Sequence, residues 1–242
     1  MLSKKYSRSN EDLLEERVQL IALPYAAGSL RSYQPFNKVD GIELVKYELP
    51  GRGFRQSDQF SGLSTILAEV IEIIDFTRPY ILFGHSMGAY ITYELCSFIE
   101  KKELPLPSKV ILSAQIPPSN KNDHRTWHKL SKNEVRQYFE KLGGTPDEIL
   151  NSQELMEFFS DVLNQDFAFL RSYFKNGWTE KVQSNLEIWY GEDDDFIDEK
   201  GVAIWDQYTC GKCKYVKFQG NHFFIHQLFE QPERLRKLFL EN

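Results

Sequence analysis

Cysteine, long apolar runs and excess positive charge are all scarce in this chain, and each scarcity excludes a class of protein. Three cysteines among 242 residues do not make the disulfide framework of a small secreted protein. No apolar run approaches the roughly 20 residues needed to cross a bilayer. The N-terminal MLSKKYSRSNEDLLEER is charged where a signal peptide would be apolar. We therefore expect a cytoplasmic protein that does not associate with a membrane.

The charge balance is acidic, with 29 Lys and Arg against 35 Asp and Glu and a formal net charge of −6. Nucleic-acid binding needs a concentrated positive field, so the composition excludes a general nucleic-acid binder. Any anionic partner must instead meet a local basic patch. The length and the 41% hydrophobic content suit one domain that spans residues 1–242.

Short runs of apolar, β-branched and aromatic residues alternate with longer amphipathic segments along most of the chain. The alternation predicts strands joined by crossover helices, and hence a mainly parallel sheet flanked by helices. The predicted strands are VQLIAL (18–23), IELVKYEL (42–49), YILF (80–83), KVILSA (109–114), LEIWY (186–190) and KYVKF (214–218). The predicted helices between and after them are LSTILAEVIEIIDF (63–76), YITYELCSFIEKK (90–102), EKGVAIWDQY (199–208) and PERLRKLF (232–239).

The alternation is interrupted between about 115 and 185, where several helical patterns occur without a convincing strand. LSKNEVRQYFEKLGG ends on glycines, as helices commonly do, and the Phe-rich segment from 151 to 174 has the length of a long helix. Between them, Thr145 with Glu148 three residues later has the spacing of a capping box. These patterns predict a helical insertion that folds over the sheet as a lid.

One serine lies between two glycines in the sequence FGHSMGAY (83–90). The strand before it and the helix after it are the context of a nucleophile elbow, a turn so sharp that Gly84 and Gly88 must lack side chains. The turn strains the backbone of Ser86 and exposes its hydroxyl at the carboxyl edge of the sheet. It also directs the backbone N–H of Met87, at the helix start, toward a developing oxyanion. We therefore predict that Ser86 is a catalytic nucleophile.

A serine nucleophile needs a histidine base, and His222 is the predicted one. It follows the last predicted strand through a Gly-Asn turn, so it projects from the carboxyl edge, and the triad partners of such an elbow follow in the order Ser, Asp, His. His85 is interpreted as a packing residue and His226 as half-buried helix surface. HRTWH (124–128) has Arg where the zinc-peptidase motif has Glu, so no metal site is expected there.

The carboxylate that orients the base should follow the penultimate strand, in the acidic turn GEDDDFID (191–198). Asp194, three residues after Gly191, is the predicted acid, and Asp193 remains the alternative. A second oxyanion donor should come from the loop LPYAAGS (23–29) after the first strand, where small residues let backbone N–H groups approach a substrate. Ala26 is the predicted donor, while a plain compact turn is the other interpretation of this loop.

In these motifs the sequence resembles the type II thioesterases, free-standing α/β-hydrolases that serve nonribosomal peptide and polyketide synthetases. The resemblance covers nearly the whole chain and implies the α/β-hydrolase fold with a helical lid. Ala27 and Ala89 stand where the family usually has Gly, and neither change removes a catalytic group. The motifs, in the family's order, are LPYAAGS, LPGRGFR (49–55), FGHSMGAY, LSAQIPP (112–118), LGGTP (142–146), YGEDDD and QGNHFFI.

The resemblance implies hydrolysis of an acyl or aminoacyl thioester on the phosphopantetheine arm of an acyl- or peptidyl-carrier protein. Ser86 would attack the carbonyl, His222 would take its proton, and the N–H groups of Met87 and Ala26 would hold the oxyanion. The implied enzyme acts as a monomer and needs no cofactor or metal. The CGKC segment (210–213) is interpreted as a turn before a strand, because a zinc site would need a second cysteine pair.

Carrier proteins of this kind are generally anionic, so an acidic enzyme needs a local basic surface to meet one. The segment NKNDHRTWHKLSK (120–132) supplies Lys121, Arg125, Lys129 and Lys132, and Arg52 was expected to lie nearby. A solvated stretch of the lid is the alternative interpretation. Three other functions stay open: a fatty-acid-synthase-type chain-releasing thioesterase, a small-molecule carboxylesterase, and a catalytically silent binder that uses the hydrolase fold.

Overall fold

The computed structural model describes residues 17–118, 128–176 and 180–241, with only the backbone of residues 175 and 176. Its centre is a six-stranded, fully parallel sheet in the order β2-β1-β3-β4-β5-β6, which confirms the predicted α/β architecture. The strands are β1 (Val18–Leu23), β2 (Ile42–Leu44), β3 (Tyr80–His85), β4 (Lys109–Ser113), β5 (Leu186–Gly191) and β6 (Cys213–Phe218).

The central strands are apolar on both faces because helices cover both sides of the sheet. All six residues of β3 are buried, and two apolar clusters lie on opposite faces. The α-helices of the described chain are α1 (Leu63–Ile73), α2 (Met87–Lys101), α3 (Lys132–Leu142), α4 (Asp147–Asn151), α5 (Gln153–Asn176), α6 (Glu199–Ala203), α7 (Phe224–Phe229) and α8 (Pro232–Leu240). Short 3-10 segments follow β1, β2 and α6, at Leu30–Lys38, Gly53–Arg55 and Ile204–Gln207.

Several predicted element boundaries differ from the structure. Helix α1 ends at Ile73 rather than at residue 76, α2 begins at Met87 rather than at residue 90, and α6 ends at Ala203, where a 3-10 segment follows. β2 ends at Leu44 rather than at residue 49, because the chain leaves the sheet after Val45, whose N–H still donates to the Leu20 carbonyl at 2.9 Å. Thr145 does not cap a helix, since α4 begins at Asp147 directly after Pro146.

Three helices, α3, α4 and α5, lie between β4 and β5 in the described chain. Helix α3 is capped by Ser131, whose side chain accepts from the Glu134 N–H while Glu134 accepts from the Ser131 N–H. The longer helix, α5, buries Leu163, Phe167 and Leu170 against the same apolar cluster that α2 contacts. These helices therefore cover the sheet near its carboxyl edge. No helix in the described ranges combines the length and apolar character that a membrane span requires.

Candidate active site

The turn between β3 and α2 holds Ser86 in a strained backbone conformation. Its φ of 55° and ψ of −118° lie outside the regions that non-glycine residues ordinarily adopt. The strain persists because the Ser86 N–H donates to the Ser113 carbonyl at the end of β4, at 2.8 Å, and the Ser86 carbonyl accepts from Ala89 in the first turn of α2. The serine is therefore fixed at the carboxyl edge of the sheet, with Met87 as the first residue of the helix behind it.

The two flanking glycines are needed for space. A Cβ at Gly84 would lie 2.1 Å from the Gly88 carbonyl oxygen, and one at Gly88 would lie 2.0 Å from the carbonyl oxygen of Leu23 at the end of β1. The start of α2 therefore packs directly on the chain that leaves β1. The predicted requirement for two residues without side chains around the serine is confirmed by these contacts.

A histidine and an aspartate meet in the loops after β6 and β5. His222 Nδ1 and Asp194 Oδ2 are 2.7 Å apart, and both residues are buried. The second carboxylate oxygen, Oδ1, accepts from the Phe196 N–H at 2.9 Å, which fixes the carboxylate plane. The alternative acid, Asp193, is solvent-exposed. The carboxylate that contacts the predicted base is thus Asp194.

A close approach of the two loops brings this pair together. A Cβ at Gly191 would lie 2.5 Å from the Gly220 carbonyl oxygen, and the Asp193 N–H donates to that same oxygen at 3.0 Å. The His222 ring then lies beside the elbow, with its centroid 5.4 Å from that of His85, the residue before the serine. The nucleophile, the imidazole and the carboxylate therefore share one edge of the sheet.

The other two histidines near the elbow pack rather than face solvent. His85 is fully buried, its Nδ1 is 2.9 Å from Ser113 Oγ, and its ring stacks on Phe223. Burial, followed by the nearby imidazoles of His222 and His226, holds the pKa of His85 well below its ordinary value, so the ring is neutral. His226 lies half-buried on α7, as expected.

The loop after β1 contains a second strained residue. Ala27 has a φ of 62°, in the left-handed region that favours glycine, and its N–H donates to Asp166 of α5 at 2.7 Å. Because the start of α2 packs on the end of β1, the preceding residue, Ala26, belongs to a loop that borders the elbow. The loop and the N-terminus of α2 together provide backbone N–H groups at the sheet edge.

The structure corrects the expected role of Arg52 in a basic docking surface. Its side chain is only 2% exposed and forms a two-point ion pair with Asp166, which is itself buried. The charge of Arg52 is therefore neutralised inside the protein. Helical spacing could have indicated that Asp166 is buried, though not which cation it meets, because it lies four residues from Val162 and from Leu170, both buried on α5. A carboxylate on a buried helix face needs a cation or several hydrogen bonds.

Only part of the expected basic segment can be located. Lys121 and Arg125 lie outside the described residues. Lys129 is exposed, and the Lys132 ammonium is 2.5 Å from Glu157 Oε1 on α5, so much of its charge is balanced locally. Cys210 lies in a turn and Cys213 begins β6, which confirms the interpretation of that segment as a turn before a strand.

A cavity of about 380 Å³ lies between the loop after β1 and the helices over the sheet. Apolar side chains of α3, α4 and α5, together with Phe223 just before α7, make up much of its walls. A larger cleft of about 880 Å³ opens among α1, α2 and α5. Ser86, Asp194 and His222 line neither cavity, whereas Ala26, the predicted oxyanion donor, lines the smaller one. The smaller cavity borders the candidate site, and its lining includes Tyr25, Ala26, Phe139, Ile149, Phe159 and Phe223.

A family model and several known proteins match most of the length of this chain. The family model described as thioesterase domain matches residues 18–240. The gramicidin S biosynthesis protein GrsT of Aneurinibacillus migulanus is 27% identical over 217 residues, which cover 87% of this chain and 84% of that protein. The human medium-chain S-acyl fatty acid synthase thioesterase is 26% identical over 224 residues, which cover 87% of this chain and 82% of that protein.

Solved structures share the fold over nearly the full length. ClbQ from the colibactin NRPS/PKS pathway superposes with a TM-score of 0.80 at 23% identity, covering 91% of this chain and 96% of ClbQ. The type II thioesterase BorB from the borrelidin biosynthetic cluster gives a TM-score of 0.77 at 24% identity, covering 93% of this chain and 92% of BorB.

Proposed function

Because the chain belongs to the thioesterase family, we propose that it hydrolyses acyl or aminoacyl thioesters on the phosphopantetheine arm of a carrier protein, freeing carriers that hold a wrong or stalled acyl group. The observation that supports this most directly is the buried pair of His222 and Asp194 beside the strained Ser86. That arrangement suits nucleophilic acyl transfer, in which the imidazole moves a proton and the carboxylate orients the imidazole.

In the acylation half-reaction, Ser86 Oγ attacks the thioester carbonyl while His222 Nε2 takes its proton. The Asp194 carboxylate accepts a hydrogen bond from the His222 Nδ1–H, which keeps the proton on Nδ1 and leaves Nε2 free to act as the base. The N–H groups of Met87 and Ala26 stabilise the tetrahedral oxyanion. Collapse of this intermediate breaks the C–S bond, and the imidazolium returns the proton to the leaving thiolate.

In the second half-reaction, His222 deprotonates a water molecule that attacks the acyl-serine ester. The same N–H groups stabilise the second oxyanion, the proton returns to Ser86 Oγ, and the free acid leaves. A thiol is more acidic than an alcohol by several pK units, so its departure demands less of the general acid. Thioesters therefore suit this site better than alkyl esters.

The relatives bear on which thioester is the substrate. GrsT is a gramicidin S biosynthesis protein and the human relative is a medium-chain fatty acid synthase thioesterase, and their identities to this chain are nearly equal, at 27% and 26%. A chain-releasing thioesterase is therefore the second candidate function. The apolar cavity of about 380 Å³ beside Ala26 suits an acyl group, and its size favours a short or medium chain over a long one.

We place the docking surface for the carrier at the start of the lid, where exposed Lys129 precedes α3. Its ammonium would meet the acidic surface of a carrier. Lys132 contributes less, because it is already paired with Glu157.

A panel of substrates tests the proposal. Each acyl group would be offered on a phosphopantetheinylated carrier, on free pantetheine and as a p-nitrophenyl ester, with hydrolysis followed by mass spectrometry. We expect kcat/KM to be highest for carrier-bound short or aminoacyl groups. A preference for the oxygen ester would indicate a carboxylesterase, and a preference for long chains would indicate chain release.

Active-site variants complete the test. Ser86→Ala and His222→Ala should each lower kcat by several orders of magnitude, and the double variant should be hardly worse than either single one, because the residues act as a unit. Unchanged turnover in Ser86→Ala would refute the assigned nucleophile. Ligand retention by Ser86→Ala, without turnover by the wild type on any substrate, would identify a silent binder.

A further inference from the structure

A buried carboxylate on the lid contacts the loop that borders the elbow. Asp166 lies on α5 with no exposed surface, and its Oδ2 accepts from the Ala27 N–H at 2.7 Å. The same oxygen accepts from Arg52 Nη1 at 2.9 Å, and Oδ1 accepts from Arg52 Nη2. One side chain therefore joins the long lid helix to the loop after β1.

The arginine completes the connection from the other side. Arg52 lies in the turn after β2 and, besides pairing with Asp166, donates through Nη1 to the Gly28 carbonyl at 3.0 Å. The peptide N–H of Ala27 and the carbonyl of Gly28 are thus both fixed by one buried ion pair. These hydrogen bonds are charge-assisted, a class stronger than bonds between neutral groups.

The hydrogen bonds to Ala27 and Gly28 act on a strained part of the loop beside the elbow. Ala27 is held at a φ of 62°, a strained conformation for a non-glycine residue, so the loop needs contacts from other segments to keep it. The peptide N–H of Ala27 is already used by Asp166, which leaves Ala26 as the loop residue assigned to the oxyanion.

We propose that Asp166 and Arg52 are positioning residues that hold the loop of residues 25–28 in the conformation that presents the Ala26 N–H to the oxyanion. The proposal rests on the proposed function and assigns no contact with the substrate to either residue. It also links the placement of α5 to the competence of the oxyanion hole, because the lid helix and the loop share the Asp166 carboxylate.

The first variant is Asp166→Asn, which keeps the shape but loses the negative charge and one acceptor. The amide NH₂ must then face either Arg52 Nη2, or the Ala27 N–H and Arg52 Nη1, all of which are donors. Misplacing one oxyanion donor should lower kcat by about 10- to 100-fold, with KM within about threefold of wild type. A trifluoromethyl ketone analogue of acyl-pantetheine forms a tetrahedral adduct with a serine. Its Ki should rise in parallel with the loss in kcat, whereas the Kd of the corresponding amide should hardly change.

A second variant separates loss of positioning from a folding defect. Arg52→Met combined with Asp166→Leu replaces the buried ion pair by apolar side chains, an exchange that folded proteins commonly tolerate, yet it removes both bonds to the loop. We expect this variant to remain folded and to show the same loss in kcat and the same rise in the ketone Ki. Wild-type kcat in the folded double variant would overturn the proposal.

The matched control is Glu69→Gln. Glu69 of α1 also pairs at two points with an arginine of the same turn, since Arg55 Nη1 and Nη2 lie 2.7 and 3.0 Å from its oxygens, but the described contacts of this pair do not include the loop. Its kcat should stay within about twofold of wild type. An equal loss in Glu69→Gln would attribute the effect to general destabilisation and refute positioning.

Ser86→Ala, assayed in parallel, separates this inference from the proposed function. If Ser86→Ala retains activity, the assigned mechanism fails. If Ser86→Ala is inactive while the Asp166 and Arg52 variants keep a wild-type kcat and ketone Ki, only the positioning role fails.

Discussion

Adding a single methyl group at Gly88 should disable the site without touching any catalytic side chain. An alanine Cβ there would lie 2.0 Å from the Leu23 carbonyl oxygen, 2.7 Å from the Leu23 carbonyl carbon and 2.9 Å from the Pro24 carbonyl oxygen. All three contacts are with backbone, so no side chain can rotate away. Either the start of α2 or the chain leaving β1 must move.

The distance by which these segments must move sets the expected losses of activity and stability. Real Cβ atoms essentially never approach another heavy atom closer than 3.0 Å, so the 2.0 Å contact must open by about 1 Å. The two segments carry the two assigned oxyanion donors, Met87 and Ala26, and a shift of about 1 Å in a reacting group can cost on the order of 10²-fold in rate. Overpacking of this kind also destabilises a fold by about 1 to 3 kcal/mol.

We therefore expect Gly88→Ala to lower kcat about 100-fold and the free energy of unfolding by about 1 to 3 kcal/mol. Thiol release from acyl-pantetheine measures the first quantity and urea denaturation the second. The control is Gly62→Ala at the start of α1, where nothing lies within 4 Å of the added carbon but φ is 113°. That variant should lose stability through backbone strain and keep its kcat. A folded Gly88→Ala enzyme with wild-type kcat would refute the argument.

Three further predictions concern single side chains. Asp194→Asn should lower kcat by on the order of 10³ to 10⁴, because the base is left in the wrong tautomer, whereas the exposed Asp193→Asn should have little effect; the reverse ranking in steady-state kinetics would reassign the acid. Burial lowers the pKa of His85 and keeps the ring neutral in the folded state, so below about pH 6.5 the unfolded state binds more protons. As the pH falls below that value, the free energy of unfolding of the wild type, measured by urea titration, should decrease relative to that of His85→Gln by about 1.4 kcal/mol per pH unit. If the difference in free energy of unfolding between wild type and His85→Gln stayed constant from pH 7 to pH 5, this reasoning would be contradicted. Lys129→Glu should raise KM for a carrier-bound thioester, more so at low salt, and leave KM for acyl-pantetheine unchanged. Lys132→Glu should raise KM for the carrier-bound thioester less, because Lys132 is already paired with Glu157. Equal effects on both substrates would indicate damage to the lid.

Features encoded within a few neighbouring residues could be predicted from the sequence. All six strands were predicted, and apart from the end of β2 their boundaries lie within two residues of those observed. The central strands are easily recognised because a buried parallel strand is a nearly continuous apolar run. The elbow was recognisable because its steric requirements fall on positions 84 to 88. The preference for Asp194 over Asp193 rested on the length of a turn, which is also a local property.

Contacts between distant segments could not be predicted in the same way. Arg52 was expected at a docking surface, close to the basic segment, but its partner Asp166 lies 114 residues further along the chain. The pairing of Lys132 with Glu157 across 25 residues likewise changes the charge that a carrier would meet. Such pairs depend on how helices pack, which neither periodicity nor spacing specifies.

Backbone strain in the described chain is concentrated where the site is built. Three of its four non-glycine residues with positive φ lie beyond the carboxyl ends of strands that are neighbours in the sheet: Ala27 four residues after β1, Ser86 directly after β3 and Ala114 directly after β4. Each costs on the order of 1 to 3 kcal/mol and persists only if its surroundings fix it. The Asp166 carboxylate fixes Ala27, the Ser113 carbonyl fixes Ser86, and the Trp189 carbonyl accepts from the Ala114 N–H at 2.8 Å. Since two of these three restraints belong to the sheet and one to the lid, movement of the lid would relax the loop after β1 while leaving the nucleophile in place.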